Sequence, residues 1–312
     1  MDTITLAWSG SINQRQVVKT ALSMGTKYAG TNPNYYRGTK AYASSEKLKI
    51  GNYYFYFGWN PRYRLMDDFT LTTHLSAYKS WSDFIDLIYV LFLGEDVIGT
   101  AKIKRLDLAV DIAIPYIEVF KSLQRTNTKR VSEFSSKSRT TYFGNRPDEV
   151  AMYEKDLYPN EVDLWHQDAE WTEEGKVPCV RFEARKFNKR IPIKSLEDVS
   201  RLWSYQPYTK IQFRKPLEGV IQPHPKRTTS ILESFMYRVQ LFGFDTVRKE
   251  ENAKGDFEKR IGKHLGPLNI DLQQAWMNRL ERFGLPKPIT LSDMPQNPIS
   301  EPVSEVYSAL QS

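Results

Sequence analysis

The chain has 312 residues, of which 40% are hydrophobic and 26% are charged, and its formal net charge at pH 7 is +7. This length is enough for one large domain or two ordinary ones, and the basic balance favours a polyanionic partner. A single cysteine, Cys179, excludes an internal disulfide framework and a four-cysteine zinc site, so we expect it to be a buried structural thiol.

The first 193 residues predict an α+β domain in which a mixed antiparallel sheet carries helices on one face. Segments with strand character, some followed by turn signals such as Asn60-Pro61, lie at residues 53–57, 69–73, 101–114, 139–143, 150–153 and 178–187. Apolar residues recur at helical spacing in residues 76–93 and 116–123. A polar, acidic excursion separates the last two strands.

After residue 193 the pattern becomes mainly helical. Ser195-Leu-Glu-Asp198 has the form of a capping box that opens a helix, and helical spacing recurs at residues 229–242, 257–264 and 271–283. Residues 205–226 combine prolines with basic residues, which is typical of a linker or a DNA-contacting loop. The predicted regions are a sheet domain at 1–193, a helical partner-binding region at 194–284, and a loosely ordered, proline-rich tail at 285–312.

The distribution of charge suits a nucleic-acid partner. Basic residues cluster at 121–139, 185–190 and 210–227, and aromatic residues make up 13% of the chain. Cations that hold phosphates and rings that stack on bases suit single-stranded or melted DNA, although a solvated basic face over an aromatic core has the same composition. The opening Met1-Asp-Thr-Ile-Thr lacks the features of a signal peptide, so we expect a cytoplasmic protein without membrane contact.

Two charged strands are the most informative segments of the chain. In Arg105-Leu-Asp-Leu-Ala-Val-Asp111, alternation places Arg105, Asp107 and Asp111 on one face and the apolar residues on the other. The same spacing groups Arg181, Glu183 and Arg185. Hard carboxylate oxygens favour Mg²⁺ or Mn²⁺, so Asp107, Asp111 and Glu183 are candidate metal ligands for phosphoryl transfer. The alternative is that the carboxylates simply form ion pairs with the arginines.

A tyrosine near these strands could act as a covalent nucleophile. Tyr153 lies between the two charged strands and precedes Lys155, a cation that could hold phosphate or lower the pKa of the phenol. Tyr142 and Tyr158 are the local competitors. Tyr142 alternates with Phe143 in a predicted strand and Tyr158 precedes a proline, so each of these has a structural use of its own.

The order of these motifs resembles the Rep_trans-type rolling-circle replication initiators of Gram-positive plasmids and related phage factors. The resemblance covers about residues 69–190, and its motifs are Arg105 to Asp111, Thr141-Tyr-Phe-Gly-Asn-Arg146, Tyr153-Glu-Lys155 and Arg181-Phe-Glu-Ala-Arg-Lys186. It implies a palm-like (RRM-like) nuclease fold without a two-histidine metal motif, and the four histidines of this chain also never fall in pairs.

The resemblance further implies an activity and its residues. Tyr153 would nick one strand of origin DNA and form a 5′-phosphotyrosine intermediate, with Asp107, Asp111 and Glu183 around Mg²⁺ or Mn²⁺. The cationic groups that neutralise the phosphate would be Arg105, Arg146, Lys155 and Arg185. The expected partners are duplex and single-stranded origin DNA and a host helicase, and a homodimer is possible.

The chain departs from the family pattern at two places. Ala151 stands where the family has an arginine two residues before the tyrosine, and Leu71-Thr-Thr-His74 stands where the family has Glu-Phe-Asn-Pro. The second change removes a carboxylate, or leaves His74 to replace it as a ligand. These departures keep open a DNA-binding protein on the same fold that does not cleave. The aromatic run at 53–57 keeps open a single-stranded RNA-binding module.

Overall fold

The structure is a computed structural model. It describes residues 2–9, 14–27, 35–36, 39–40, 42–63, 67–93, 99–125, 131–135, 138–145, 148–167, 169, 171–217 and 227–288. The predicted proline-rich tail therefore lies outside the described residues from position 289 onward.

Within these residues the strands are β1 (Thr3–Trp8), β2 (Thr26–Lys27), β3 (Tyr35–Tyr36), β4 (Thr39–Lys40), β5 (Tyr42–Ile50), β6 (Tyr53–Pro61), β7 (Phe69–His74), β8 (Lys102–Ala113), β9 (Leu123–Arg125), β10 (Val131–Ser135), β11 (Ser138–Asn145), β12 (Asp148–Leu157), β13 (Leu164–Trp165), β14 (Val177–Phe187), β15 (Ile211–Pro216) and β16 (Leu265–Pro267).

The α-helices of the described residues are α1 (Gln14–Met24), α2 (Trp81–Leu91), α3 (Tyr116–Ser122), α4 (Arg227–Phe242), α5 (Phe244–Ala253), α6 (Phe257–Arg260) and α7 (Leu272–Arg282). Short 3₁₀ helices occur at Leu75–Ala77, Pro159–Glu161, Asn188–Arg190, Glu197–Ser204 and Gly262–His264.

One large sheet dominates the architecture. Its 11 strands follow the order β10-β11-β12-β14-β8-β1-β7-β6-β5-β2, with β13 paired alongside β8. The paired strands run antiparallel except at β13 and β8, which are parallel. The prediction of an α+β protein with a mixed antiparallel sheet is confirmed at this level.

Residue alternation in the central strands separates an apolar face from a charged one. In β8 the apolar residues Leu106, Leu108 and Val110 alternate with charged or small ones, and β14 does the same from residue 180 to residue 185. Because side chains on a strand point alternately to opposite faces, the charged residues within 105–111 and 181–185 share one face. The apolar face is buried by helices, including α2 through Phe84 and Ile88 and α3 through Val119.

The main hydrophobic core extends beyond residue 193. Leu202 of the 3₁₀ helix at Glu197–Ser204, Phe213 of β15 and Trp276 of α7 belong to the same buried cluster as the central strands. A second, smaller cluster joins α4, α5 and α6 around Phe235, Phe244 and Phe257. Thus the segments that flank α4 to α6 share the core of the sheet, whereas α4 to α6 bury side chains against one another.

Several elements differ from the sequence predictions, including the helices α1 and α5 and the strand β5, which were not predicted. The central strand β1 was not predicted, although its six residues are all buried between β7 and β8. The segment after Ser195 is a 3₁₀ helix (Glu197–Ser204) rather than an α-helix, and the predicted capping box is not formed: the Ser195 hydroxyl bonds to the Asp198 carboxylate at 3.4 Å, and Leu196 at the N-cap provides no side-chain cap. The predicted linker contains β15, which pairs with β9 and β16.

Two side-chain predictions can be checked against the core. Cys179 is fully buried and its pKa is raised to about 12 by burial, as expected for a structural thiol. In the aromatic run of β6, Phe55 and Phe57 are buried in the core, and Tyr53 stacks on Tyr78. The described helices include none long and apolar enough to cross a membrane.

Candidate active site

The candidate residues meet in three transverse rows on the charged face of β12, β14 and β8. The strand register aligns Glu149 with Arg185 and Asp107 in the first row, Ala151 with Glu183 and Ala109 in the second, and Tyr153 with Arg181 and Asp111 in the third. This placement follows from the alternation of all three strands. Ala151, which departs from the family pattern, and Ala109 are the small residues on either side of Glu183.

At the first row, Asp107 is fully buried and bound by a neighbouring arginine. The Arg105 Nε donates to both carboxylate oxygens of Asp107 at 3.0 Å. The guanidinium of Arg105 also lies over the ring of Phe187, 5.5 Å from its centroid. Burial raises the pKa of Asp107 to about 6; Arg105 opposes this shift, and the negative charge of Glu183 adds to it.

The second row connects a carboxylate to the tyrosine. The Tyr153 hydroxyl donates to Oε2 of Glu183 at 2.9 Å, and Oε1 of Glu183 accepts from Arg185 Nε at 2.7 Å. Burial raises the pKa of Tyr153 far above its usual range, and the Glu183 charge raises it further. The phenol is therefore protonated at neutral pH, with a buried carboxylate in position to accept its proton.

At the third row, Asp111 is held by two arginines. Arg181 donates to its two oxygens at 2.7 and 2.6 Å, and Arg279 of α7 also bonds to it. Arg279 further donates to Asp163 at 2.9 Å. Burial alone would raise the pKa of Asp111, but its bonds to Arg181 and the charge of Arg279 outweigh burial and lower the pKa to about 2. Asp111 is thus a stably charged member of a buried ion network.

Lys155 lies two residues beyond Tyr153 on the same face of β12 and is half-buried. It makes no ion pair within 4 Å with the residues that the structure describes, and burial followed by the nearby Arg181 charge lowers its pKa. Of the other predicted groups, Arg105 and Arg185 lie on the same face, whereas Arg146 lies outside the described residues.

The competing tyrosines and His74 have identifiable contacts. Tyr142 is paired with Ala151 across the strands, and the guanidinium of Arg185 lies over its ring at 5.5 Å. Tyr158 is exposed beside Lys176. The Nδ1 of His74 lies 3.2 Å from the Thr3 hydroxyl, and its ring meets Tyr56 edge-on. Of the three tyrosines, Tyr153 is the one whose hydroxyl bonds to a candidate carboxylate.

The three predicted metal ligands do not form one cluster. Asp107 and Asp111 are four positions apart on β8, roughly 13 Å at the rise of a β-strand, and the described residues contain no group of three or more His, Cys, Asp or Glu arranged around a metal position. Asp107 and Glu183 are diagonal neighbours whose charges repel each other. Asp107 and Glu183 carry the hard oxygen donors that divalent cations prefer. Like the oxygens of Asp111, theirs already accept hydrogen bonds, from Arg105 for Asp107 and from Tyr153 and Arg185 for Glu183.

The residues at this face that the sequence reasoning missed include Asp2, Glu149, Asp163 and Arg279. Arg181 Nη1 donates to Asp2 at 2.8 Å, and Oδ2 of Asp163 accepts from the Asp111 backbone N–H at 2.7 Å. For Arg279 a signal exists, because it lies on the buried stripe of α7 with Leu272, Ala275, Trp276 and Leu280. An arginine on an apolar helical stripe needs a buried partner. The local sequence around Asp2 and Asp163 contains no comparable signal.

Fold and site together define an α+β protein whose large sheet carries a tyrosine–carboxylate pair among arginines on one face. No protein-family model matches the chain, and no curated protein sequence is significantly similar to it. The resemblance to rolling-circle initiators therefore stays a prediction.

Proposed function

We propose that this protein nicks one strand of origin DNA through Tyr153, as a rolling-circle replication initiator with a palm-like nuclease domain. The observation that carries the proposal is the 2.9 Å hydrogen bond from the Tyr153 hydroxyl to Glu183 on a face lined by arginines. A nucleophile bonded to a base, which is itself oriented by a third group, is the arrangement that covalent catalysis requires. Arg185 is the orienting group here.

The proposed reaction begins with attack of the Tyr153 oxygen on the scissile phosphorus. Its proton passes to Oε2 of Glu183, because the raised pKa of Tyr153 disfavours free ionisation. The bond from phosphorus to the 3′ oxygen breaks, and the 3′ oxygen takes up the proton from Glu183. The products are a 5′-phosphotyrosine link and a 3′-hydroxyl that can prime synthesis. The reverse reaction rejoins the strands and accounts for strand transfer.

Charge on the phosphate would be neutralised by the arginines of the face. Arg105 and Arg185 have side-chain exposures of 25% and 22%, so part of each side chain is accessible to a ligand. Asp107 and Glu183 would hold Mg²⁺ or Mn²⁺, which when bound would polarise the phosphate oxygens. Arg146 and Lys155 complete the proposed set of cations, with Lys155 two residues beyond Tyr153 on the same face of β12, on the side of the neighbouring phosphate. We assign origin recognition or helicase contact to residues 194–284, and we propose that the protein acts in the cytoplasm.

The nucleophile is the sharpest test of this proposal. Tyr153→Phe removes one oxygen and should abolish both nicking of supercoiled DNA carrying the chain's own gene and the covalent protein–DNA adduct. Tyr142→Phe and Tyr158→Phe are the matched controls, and both should retain the adduct at least in part. Mass spectrometry of the trapped adduct identifies the residue directly. A nucleotide on Tyr142 or Tyr158 would overturn the assignment.

A second candidate is a DNA-binding protein that does not cleave. It is favoured by the ion pairs that already engage every carboxylate of the three rows. Absence of an adduct on any tyrosine, with either Mg²⁺ or Mn²⁺ present, would favour this candidate. The RNA-binding alternative has less support, because Phe55 and Phe57 of the aromatic run are 0% and 1% exposed and only Tyr53 and Tyr54 of that run are half-buried.

A further inference from the structure

A cleft of about 440 Å³ lies between α7 and the Asp111 end of the charged face. We call this cavity the basic cleft, because five cationic residues line it: Lys79, Lys155, Arg181, Arg279 and Arg282. The volume is within the roughly 300–1,000 Å³ of pockets that hold small organic groups, so one nucleotide unit fits. None of the proposed catalytic steps uses Lys79, Arg279 or Arg282.

The charges of the basic cleft leave a positive excess. Asp111 and Glu161 also line it, and Asp2 and Asp163 bond to its arginines, so four carboxylates face five cations. Arg181 and Arg279 are committed to these carboxylates in the interior. Lys79 and Lys155 form no ion pair within 4 Å with the residues that the structure describes, and Lys79 is exposed at the mouth of the cleft. Two ammonium groups are thus available to an anion.

The position of the cleft connects it to the proposed nucleophile. Lys155 is two residues after Tyr153 on the same face of β12, a separation of roughly 7 Å along the strand. A phosphate held by Lys155 would therefore be next to a phosphate at the Tyr153 hydroxyl. Arg282 closes the far side, where it donates to the carbonyl oxygens of Asn160 and Val162 at 3.2 and 3.0 Å and pairs with Asp163 at 2.7 Å.

We infer that the basic cleft binds the backbone phosphate next to the scissile one in a single strand of DNA, with Lys79 and Lys155 as direct contacts. Arg181 and Arg279 both bind Asp111, and Arg279 thereby ties α7 to the sheet. The inference rests on the proposed function for the identity of the strand. Phosphate binding in the basic cleft can be tested separately from nicking at Tyr153, because binding of the neighbouring phosphate requires no cleavage.

The test measures the salt dependence of binding to an oligothymidylate in the Tyr153→Phe background. On single strands each phosphate contact contributes about 0.7 to the slope of log K against log salt. Lys79→Gln should therefore reduce the slope by about 0.7, and Lys79→Gln with Lys155→Gln by about 1.4. Lys19→Gln is the matched control, since Lys19 is an exposed lysine of α1 away from this face, and its slope should equal that of the parent.

The outcomes separate the inference from the proposed function. An unchanged slope in Lys79→Gln, in protein with an unaltered circular dichroism spectrum and melting temperature, overturns the basic cleft as a phosphate site. Failure of the parent to bind oligothymidylate also overturns it, and equally strong, equally cleft-dependent binding of oligouridylate overturns the assignment to DNA. A missing tyrosine adduct refutes nicking alone, because the slope is measured without cleavage.

Discussion

The two ends of the charged face contain the same residue types but differ in their electrostatics. At the Asp111 end, two arginines and α7 enclose the carboxylate and lower its pKa to about 2. At the Asp107 end, a single arginine binds the carboxylate, and burial raises its pKa to about 6. Similar residues in the sequence therefore produce one stabilising ion network around Asp111 and one carboxylate, Asp107, whose charged form is destabilised by burial and by the neighbouring Glu183. We place the proposed chemistry at the Asp107 end, where Glu183 also accepts the hydrogen bond from Tyr153.

The largest expected effect is the loss of nicking activity on substitution at the Asp107 end of the charged face. Asp107→Ala or Glu183→Ala should abolish nicking while leaving duplex binding largely intact, because phosphate contacts elsewhere supply the affinity. Removal of divalent ions with EDTA should have the same effect, and Mn²⁺ should restore nicking. Full nicking in EDTA would refute the assignment of Asp107 and Glu183 as metal ligands.

Substitution at the Asp111 end should instead lower the free energy of unfolding. Asp111→Ala leaves Arg181 and Arg279 buried without their shared carboxylate, so the free energy of unfolding should fall by about 3–5 kcal/mol. Asp107→Asn is the matched control at pH 7, because its partner Arg105 is partly exposed and can be solvated. Urea unfolding monitored by circular dichroism measures both values. Equal losses in the two variants would contradict the difference between the ends.

The pH dependence of stability should have opposite signs for the two carboxylates. The pKa of Asp111 falls from 3.8 to about 2 on folding, so its contribution of about 2 kcal/mol is present above pH 3.8 and is lost as the pH falls toward 2. The pKa of Asp107 rises from 3.8 to about 6, so stability declines by about 3 kcal/mol as the pH rises through that interval.

Paired measurements isolate these two effects. Urea unfolding of the native chain and of Asp107→Asn in EDTA, from pH 4 to pH 7, should show the variant gaining stability relative to the native chain. The native chain compared with Asp111→Asn from pH 5 to pH 2 should show the native chain losing its advantage. If the difference in the free energy of unfolding between the native chain and Asp107→Asn does not change from pH 4 to pH 7, Asp107 is ionised throughout this interval. That result would exclude a raised pKa for Asp107.

Much of the sheet and the common face of its charged residues could be predicted from local pattern. The period of two in residues 105–111 and 181–185 places Asp107, Asp111, Glu183 and three arginines on one face in any strand pairing that keeps the core buried. The strand β1 was missed because its Thr-Ile-Thr-Leu-Ala-Trp run is short and lies at the chain start. The strand β15 was missed because its basic residues and Pro216 resemble a loop.

What the sequence by itself determined is the alternation that sends carboxylates, arginines and Tyr153 to one side of the sheet. Only the tertiary structure decided which of them meet. The antiparallel register puts Tyr153 beside Glu183 through a hydrogen bond between residues 30 positions apart, and α7 brings Arg279 to Asp111 across 168 positions. The physical reason is that pKa values and ion pairs depend on burial and on charges within a few ångströms, and both are set by packing between distant segments.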